Sequence, residues 1–153
     1  MSADTDKLVT RIQSLLQSQN LGVLATRGQE YPYCTLVGFV GTEDLRRIIF
    51  ATLRNTRKYA NIKKYPLISI LIDSRSNRVE DFKDAMALTV LGNAHEAEGE
   101  VRERFSGLYL ARHPHLKEFL QDPDCALMIL EVERYIMVTR FQQVMEMDIS
   151  PYP

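Results

Sequence analysis

Apolar residues recur at helical spacing at the start of the chain. Leu8, Ile12, Leu15 and Leu16 stand three and four apart with polar residues between them, which predicts a helix over about residues 4–18. Asp4 or Thr5 offers a cap, and Asn20 with Gly22 a stop. The pattern then changes to strands. "LGVLAT" (Leu21–Thr26) and "YPYCTLVGFV" (Tyr31–Val40), joined by the turn "RGQE", read as a hairpin, with Pro32 tolerated at a strand start. "RRIIFAT" (Arg46–Thr52) and "PLISILID" (Pro66–Asp73) are the next strands, with a short helix in "NTRKYANIKKY" between them. A polar loop, "SRSNRVEDFKD", leads to a long strand in "AMALTVLGNAHEAE", where Gly92 is a candidate bulge. Val101, Phe105, Leu108 and Tyr109 give another helix face. "ARHPHLKEFLQDPD" reads as a loop with at most one helical turn. "CALMILEVERYIMVTRFQQVMEMDI" reads as two closing strands with "VER" near their turn.

This pattern amounts to about seven strands, mostly in hairpins, and two or three helices. Alternating βαβ units are missing, so a doubly wound parallel sheet is excluded. The expectation is a mainly β domain spanning residues 1–153, with an antiparallel barrel over about residues 21–149 and helices packed outside it.

Composition adds limits rather than direction. At 45% apolar and 25% charged, the chain can bury an ordinary core. A pI near 6.3 argues against a general nucleic-acid binder. The start "MSADTDKLV" has no hydrophobic leader, and no apolar run approaches the ~20 residues that span a bilayer, so a cytoplasmic protein off the membrane is expected. Cys34 and Cys125 lie in apolar runs and read as reduced core thiols.

Local charge is more informative. Arg46, Arg47, Arg54, Arg57, Lys58, Lys63 and Lys64 fall in one stretch without a single acid, although the net charge is −1. Lys63 and Lys64 suit the C-terminal end of the short helix. Arg57 and Lys58 sit in its first turn, where the helix dipole repels them. A dianion bound there would repair the conflict, taking backbone N–H groups, the hydroxyls of Thr52 and Thr56, and the charges of Arg57 and Lys58. The competing reading is a solvated basic face. No Walker glycines or Gly-Lys-Thr order are present.

The order of these segments, with "IIFAT", "NTRKYANIKKYPLISILID" and "ALTVLGNAHE", resembles the pyridoxamine 5′-phosphate oxidase-like family of FMN-binding split barrels, from about Leu8 to Glu96. The resemblance implies a six- to seven-stranded Greek-key-like barrel, usually a homodimer with FMN in clefts between subunits. It implies phosphate ligands at Thr52, Thr56, Arg57 and Lys58, main-chain contacts at Ala51, and Cys34, Thr35, Leu36 and Val37 along the flavin ring. It does not extend to the oxidase's substrate half. Tyr33, Cys34 and Thr35 replace a basic residue on that strand, Ala87 stands near a glutamine position, and the chain has no Trp. Vitamin B6 synthesis is not expected.

The function expected is an FMN-dependent oxidoreductase acting with a small-molecule electron donor or acceptor. Its alternatives are a flavin or electron carrier, or a binder of the deazaflavin F420 or haem on the same barrel. No acid–base pair is fixed by spacing, and flavin chemistry requires none. His113 and His115 in "HPH" read as a surface loop rather than a metal site, and His95 as solvent-facing or interfacial. Asp73, Arg75 and Asp81 read as dimer salt bridges, with Arg75 or Asn77 reaching a flavin as the alternative. Met145 and Met147 share a strand face that packs on a core or dimer seam, or else faces the flavin.

Overall fold

The computed structural model describes residues 2–139 and 143–149. Helix α1 (Ala3–Ser18) buries Leu8, Ile12, Leu15 and Leu16, the stripe its spacing predicts. Its cap is Ser2, not Asp4 or Thr5: Ser2 Oγ accepts the Thr5 N–H at 3.2 Å. Asp4 and Asp6 are thereby left in the first turn, where the positive end of the helix favours them.

The strands are β1 (Leu21–Arg27), β2 (Pro32–Gly41), β3 (Arg47–Leu53), β4 (Leu67–Asp73), β5 (Ala87–Glu96), β6 (Cys125–Thr139) and β7 (Gln143–Asp148). All neighbours are antiparallel, in the order β3-β2-β1-β4-β5-β6-β7. β3 also pairs with β6. That pairing closes six strands into a barrel and leaves β7 as an extra strand. On β2, Val37 and Phe39 point inward, so Leu36 and Cys34, at even positions, lie outside. The expectation of a core thiol holds for Cys125 and fails for Cys34, which is exposed; both are free thiols.

β6 departs from its sequence pattern. "VER" is not a turn but the middle of one 15-residue strand. Opposite it the register slips, with Gly92 pairing Val132 and Leu91 pairing Arg134, so Glu133 is an extra residue. A bulge interrupts alternation and sets two polar residues side by side, the same signature a turn carries. The bulge also divides one edge of β6. Up to Glu131 that edge pairs with β3, and from Arg134 onward with β7. Gly92 is required there, because a Cβ would lie 2.0 Å from the Glu131 carbonyl oxygen. The β6–β7 turn falls outside the described residues.

The remaining helices are α2 (Arg57–Lys64), α3 (Asp81–Asp84), α4 (Gly99–Arg112) and α5 (Lys117–Gln121), with a 3-10 turn at Pro114–Leu116. α5 falls in the segment read as a loop with one helical turn, whereas α3 lies in a segment read as a polar loop. The core has two parts. The barrel interior, capped by α1, holds Phe39, Phe50, Ile70 and Tyr135, and Met145 and Met147 pack against it. A second layer lies between the outer face of β3 and β6 and helices α4 and α5, with Ile49, Leu127, Phe105, Tyr109 and Leu120.

Two connections show where charge is spent. Arg75 Nε lies 3.1 Å from Asp73 Oδ1 within the chain. Asp81 accepts the N–H groups of Ser76 and Asn77 at 2.8 and 2.7 Å. These groups organise the β4–β5 loop rather than standing unpaired for a partner. In the β2–β3 loop, Leu45 adopts φ 63° and is buried. That left-handed conformation costs a leucine roughly 1–2 kcal/mol. It is held from inside the barrel, where the Tyr135 hydroxyl donates to the Leu45 carbonyl at 2.7 Å.

Candidate ligand site

The corner between β3 and α2 is built by two threonines. Thr56 is the cap of α2, with extended backbone and its Oγ accepting the Tyr59 N–H at 3.3 Å. The same hydroxyl donates to the Leu53 carbonyl at 2.7 Å. Thr52, 1% exposed, stands 3.1 Å from it, oxygen to oxygen. Both hydroxyls therefore bond within the corner. The N–H groups of Arg57 and Lys58, first in the helix, have no partner among the described residues.

The basic stretch does not act as one patch. Arg54 donates to Glu96 Oε2 at 2.5 Å and to the Pro123 carbonyl at 2.8 Å, and the Tyr59 hydroxyl donates to Glu96 Oε1 at 2.7 Å. Burial raises the Glu96 carboxyl, but the bonds from Arg54 and Tyr59 outweigh it and hold its pKa below the ordinary value. Arg47 pairs with Glu131 at 3.0 Å, and the exposed His95 lies 3.2 Å from the same carboxylate. Arg57 turns away over the Tyr33 ring, 5.2 Å from its centre. Lys58 turns the other way into a cavity of about 520 Å³. Burial there pushes its ammonium below the usual lysine pKa.

Leu36, Val37, Ala51, Thr52, Thr56 and Lys58 line this cavity together. Arg57 lines a neighbouring cleft instead, and Cys34 and Thr35 lie farther along β2, outside both. Arg75 and Asn77 do not reach it. Among the described residues no carboxylate lines it. Gly38 keeps its floor low, since a Cβ there would come 3.3 Å from the Tyr109 hydroxyl.

The far wall was not anticipated from sequence. It consists of Tyr109, His113, His115, Leu116 and Phe119. His113 is 2% exposed, not a surface-loop residue. Its Nε2 lies 2.7 Å from the Phe39 carbonyl, which only accepts, so Nε2 carries a proton. Tyr109, one helical turn earlier, donates to the Gly38 carbonyl at 3.3 Å, and burial pushes its phenol pKa up to about 12. The Tyr109 and His113 rings stand 5.0 Å apart, and His115, exposed, meets His113 edge-on at 6.0 Å. The only sequence trace of this wall is the i, i+4 spacing of Phe105, Tyr109 and His113, which continues the α4 stripe past its end. Among the described residues no three His, Cys, Asp or Glu side chains converge as a metal site requires.

The sequence profile described as pyridoxamine 5′-phosphate oxidase matches residues 8–139. The chain belongs to that family. No curated protein matches it. Among solved structures, a haem-binding protein of Mycobacterium smegmatis superposes with TM-score 0.81 at 20% identity, over 92% of this chain and 57% of that one. Campylobacter jejuni ChuZ gives 0.79 at 20% identity, over 94% of this chain and 60% of that one. A Clostridium acetobutylicum protein related to general stress protein 26 gives 0.71 at 16% identity, over 94% and 96%. These likenesses establish the family's split-barrel fold, a closed six-stranded antiparallel barrel with an added strand. The chain spans somewhat under two thirds of the first two relatives. Among the described residues no helix is long and apolar enough to cross a membrane.

Proposed function

We propose that the protein binds FMN in the Lys58 cavity and works as an FMN-dependent oxidoreductase. One observation carries this reading: a partly desolvated cation opens, with the first two unpaired amides of an eight-residue helix beside it, into a cavity with no carboxylate among the described residues. Such a corner favours a phosphate. The rest of the cavity suits a flat ring, with Leu36, Val37, Leu116 and Phe119 as apolar surface and the β2 backbone at its edge. Its volume lies within the ~300–1,000 Å³ usual for small-ligand sites. Thr52 and Thr56 fix the amides in place, Lys58 supplies charge, and Tyr109 with His113 holds α4 against β2. Bound flavin itself carries the electrons or hydride. The protein's share is then orientation, charge and exclusion of water.

Two copies pair across the outer face of β1, β2 and β4. Leu21, Leu36 and Leu67 expose 57, 62 and 64% of their surface there, more apolar area than strands normally leave to water. Leu21 and Leu36 also line the cavity, so it opens at the same face. Two free thiols agree with a reducing, cytoplasmic setting.

Purified protein incubated with FMN and desalted should keep flavin absorbance near one equivalent, bleach with NADH or NADPH, and recolour in air. Loss of all flavin on desalting overturns the reading, and retention without bleaching reduces it to a carrier. Haem is the second reading, favoured by His113 and His115 on the same wall. A Soret band that forms with haemin and shifts in His115→Ala would establish it instead.

A further inference from the structure

A second concavity lies on the opposite side of α2, against the tip of the β1–β2 hairpin. It holds about 540 Å³ and is lined by the turn from Gly28 to Tyr33 and by Arg57, Ala60, Asn61, Lys64 and Tyr65. The turn is tight: the Gly28 N–H donates to the Tyr31 carbonyl at 3.2 Å, and a Cβ on Gly28 would sit 2.5 Å from that oxygen. It thrusts Tyr31 outward, 76% exposed, at the mouth.

Cations and rings alternate around this cleft. Lys64 Nζ lies 5.4 Å from the centre of the Tyr65 ring and Arg57 lies over Tyr33, both cations lining the cleft, while Arg27, which does not line it, lies 4.3 Å from the same Tyr65 centre. None of these three makes an ion pair among the described residues, and Glu30 is the one carboxylate in the lining. A guanidinium resting on a ring face keeps its N–H edges free for an anion and offers its own plane for stacking. A merely solvated basic face does not need three tyrosines around a concave floor.

We propose that this cleft is a second ligand site, separate from the Lys58 cavity, for a nucleotide: an aromatic base joined to a phosphate or diphosphate. The phosphates meet Arg57 and Lys64, and the base stacks on Tyr31. Single-stranded nucleic acid shares this chemistry, but binding it takes a basic groove that tracks several nucleotides. Here two cations line a cleft bounded by one turn and one helix, on a chain of net charge −1.

Isothermal titration of the purified protein with ADP tests the proposal. ADP should bind saturably, at least tenfold more weakly to the Arg57→Gln/Lys64→Gln double variant, and unchanged to Lys58→Ala, which reports on the other cavity. Tyr31→Ala alters only an exposed side chain and so leaves folding intact. It should weaken ADP while leaving inorganic pyrophosphate unaffected. Absence of ADP binding overturns the proposal, as does binding that the double variant leaves untouched or that Lys58→Ala abolishes. Tighter binding of a single-stranded oligonucleotide than of ADP overturns it in favour of a nucleic-acid surface.

Discussion

Arg57 and Lys58 are adjacent in the chain, yet a helix turns about 100° per residue and sends their side chains to different cavities. A basic pair read as one anion site is thus split between two. Replacing Lys58 by alanine should weaken FMN at least tenfold, from the loss of roughly 1.5–3 kcal/mol in a charge-assisted contact. Arg57→Ala should cost markedly less. Titrating FMN fluorescence against each variant measures both, and equal losses would refute the division. The corner itself was legible in sequence, because capping threonines and first-turn charges are local features. His113 was not. A histidine in "HPH" looks wet, and its burial depends on the Phe39 carbonyl, 74 residues earlier in the chain. No local pattern encodes such a contact. Cys34 looked buried for the opposite reason: its apolar neighbours conceal which face of β2 it occupies.

Among the elements, strands with clean alternation were readable to within a residue or two, and the α1 stripe likewise. β6 was not, because Glu133 breaks its alternation in the middle of pairing. The short α3 also escaped, since one turn shows too little periodicity. The bulge gives a sharp test. Gly92→Ala drives a Cβ into the Glu131 backbone at the point where β6 changes partners, and backbone has no room to give. Stability should fall by about 3 kcal/mol. A urea midpoint unchanged from the parent protein would show that the seam tolerates a side chain.

Among the described residues, the barrel carries two cores and one uncovered apolar face. Helices α4 and α5 cover the outside of β3 and β6, while none covers Leu67 and Leu71 on β4. Leu67→Lys with Leu71→Lys places charge on that face without touching the Lys58 cavity. Sedimentation velocity should show the parent chain as a dimer and the double variant as a monomer with an intact circular-dichroism spectrum. A parent chain that sediments as a monomer would refute the pairing. Flavin affinity should drop in the monomer as well, since Leu21 and Leu36 belong to both the face and the cavity. The clamp on Leu45 has a further consequence. Loops ordinarily open before the body of a domain does. This one is fastened to a buried tyrosine at the heart of the barrel, and it carries Arg46 and Arg47 next to the fastened residue. Trypsin should therefore cleave there only when the entire barrel has come apart, so a nick after Arg46 or Arg47 would count global unfolding events rather than local breathing.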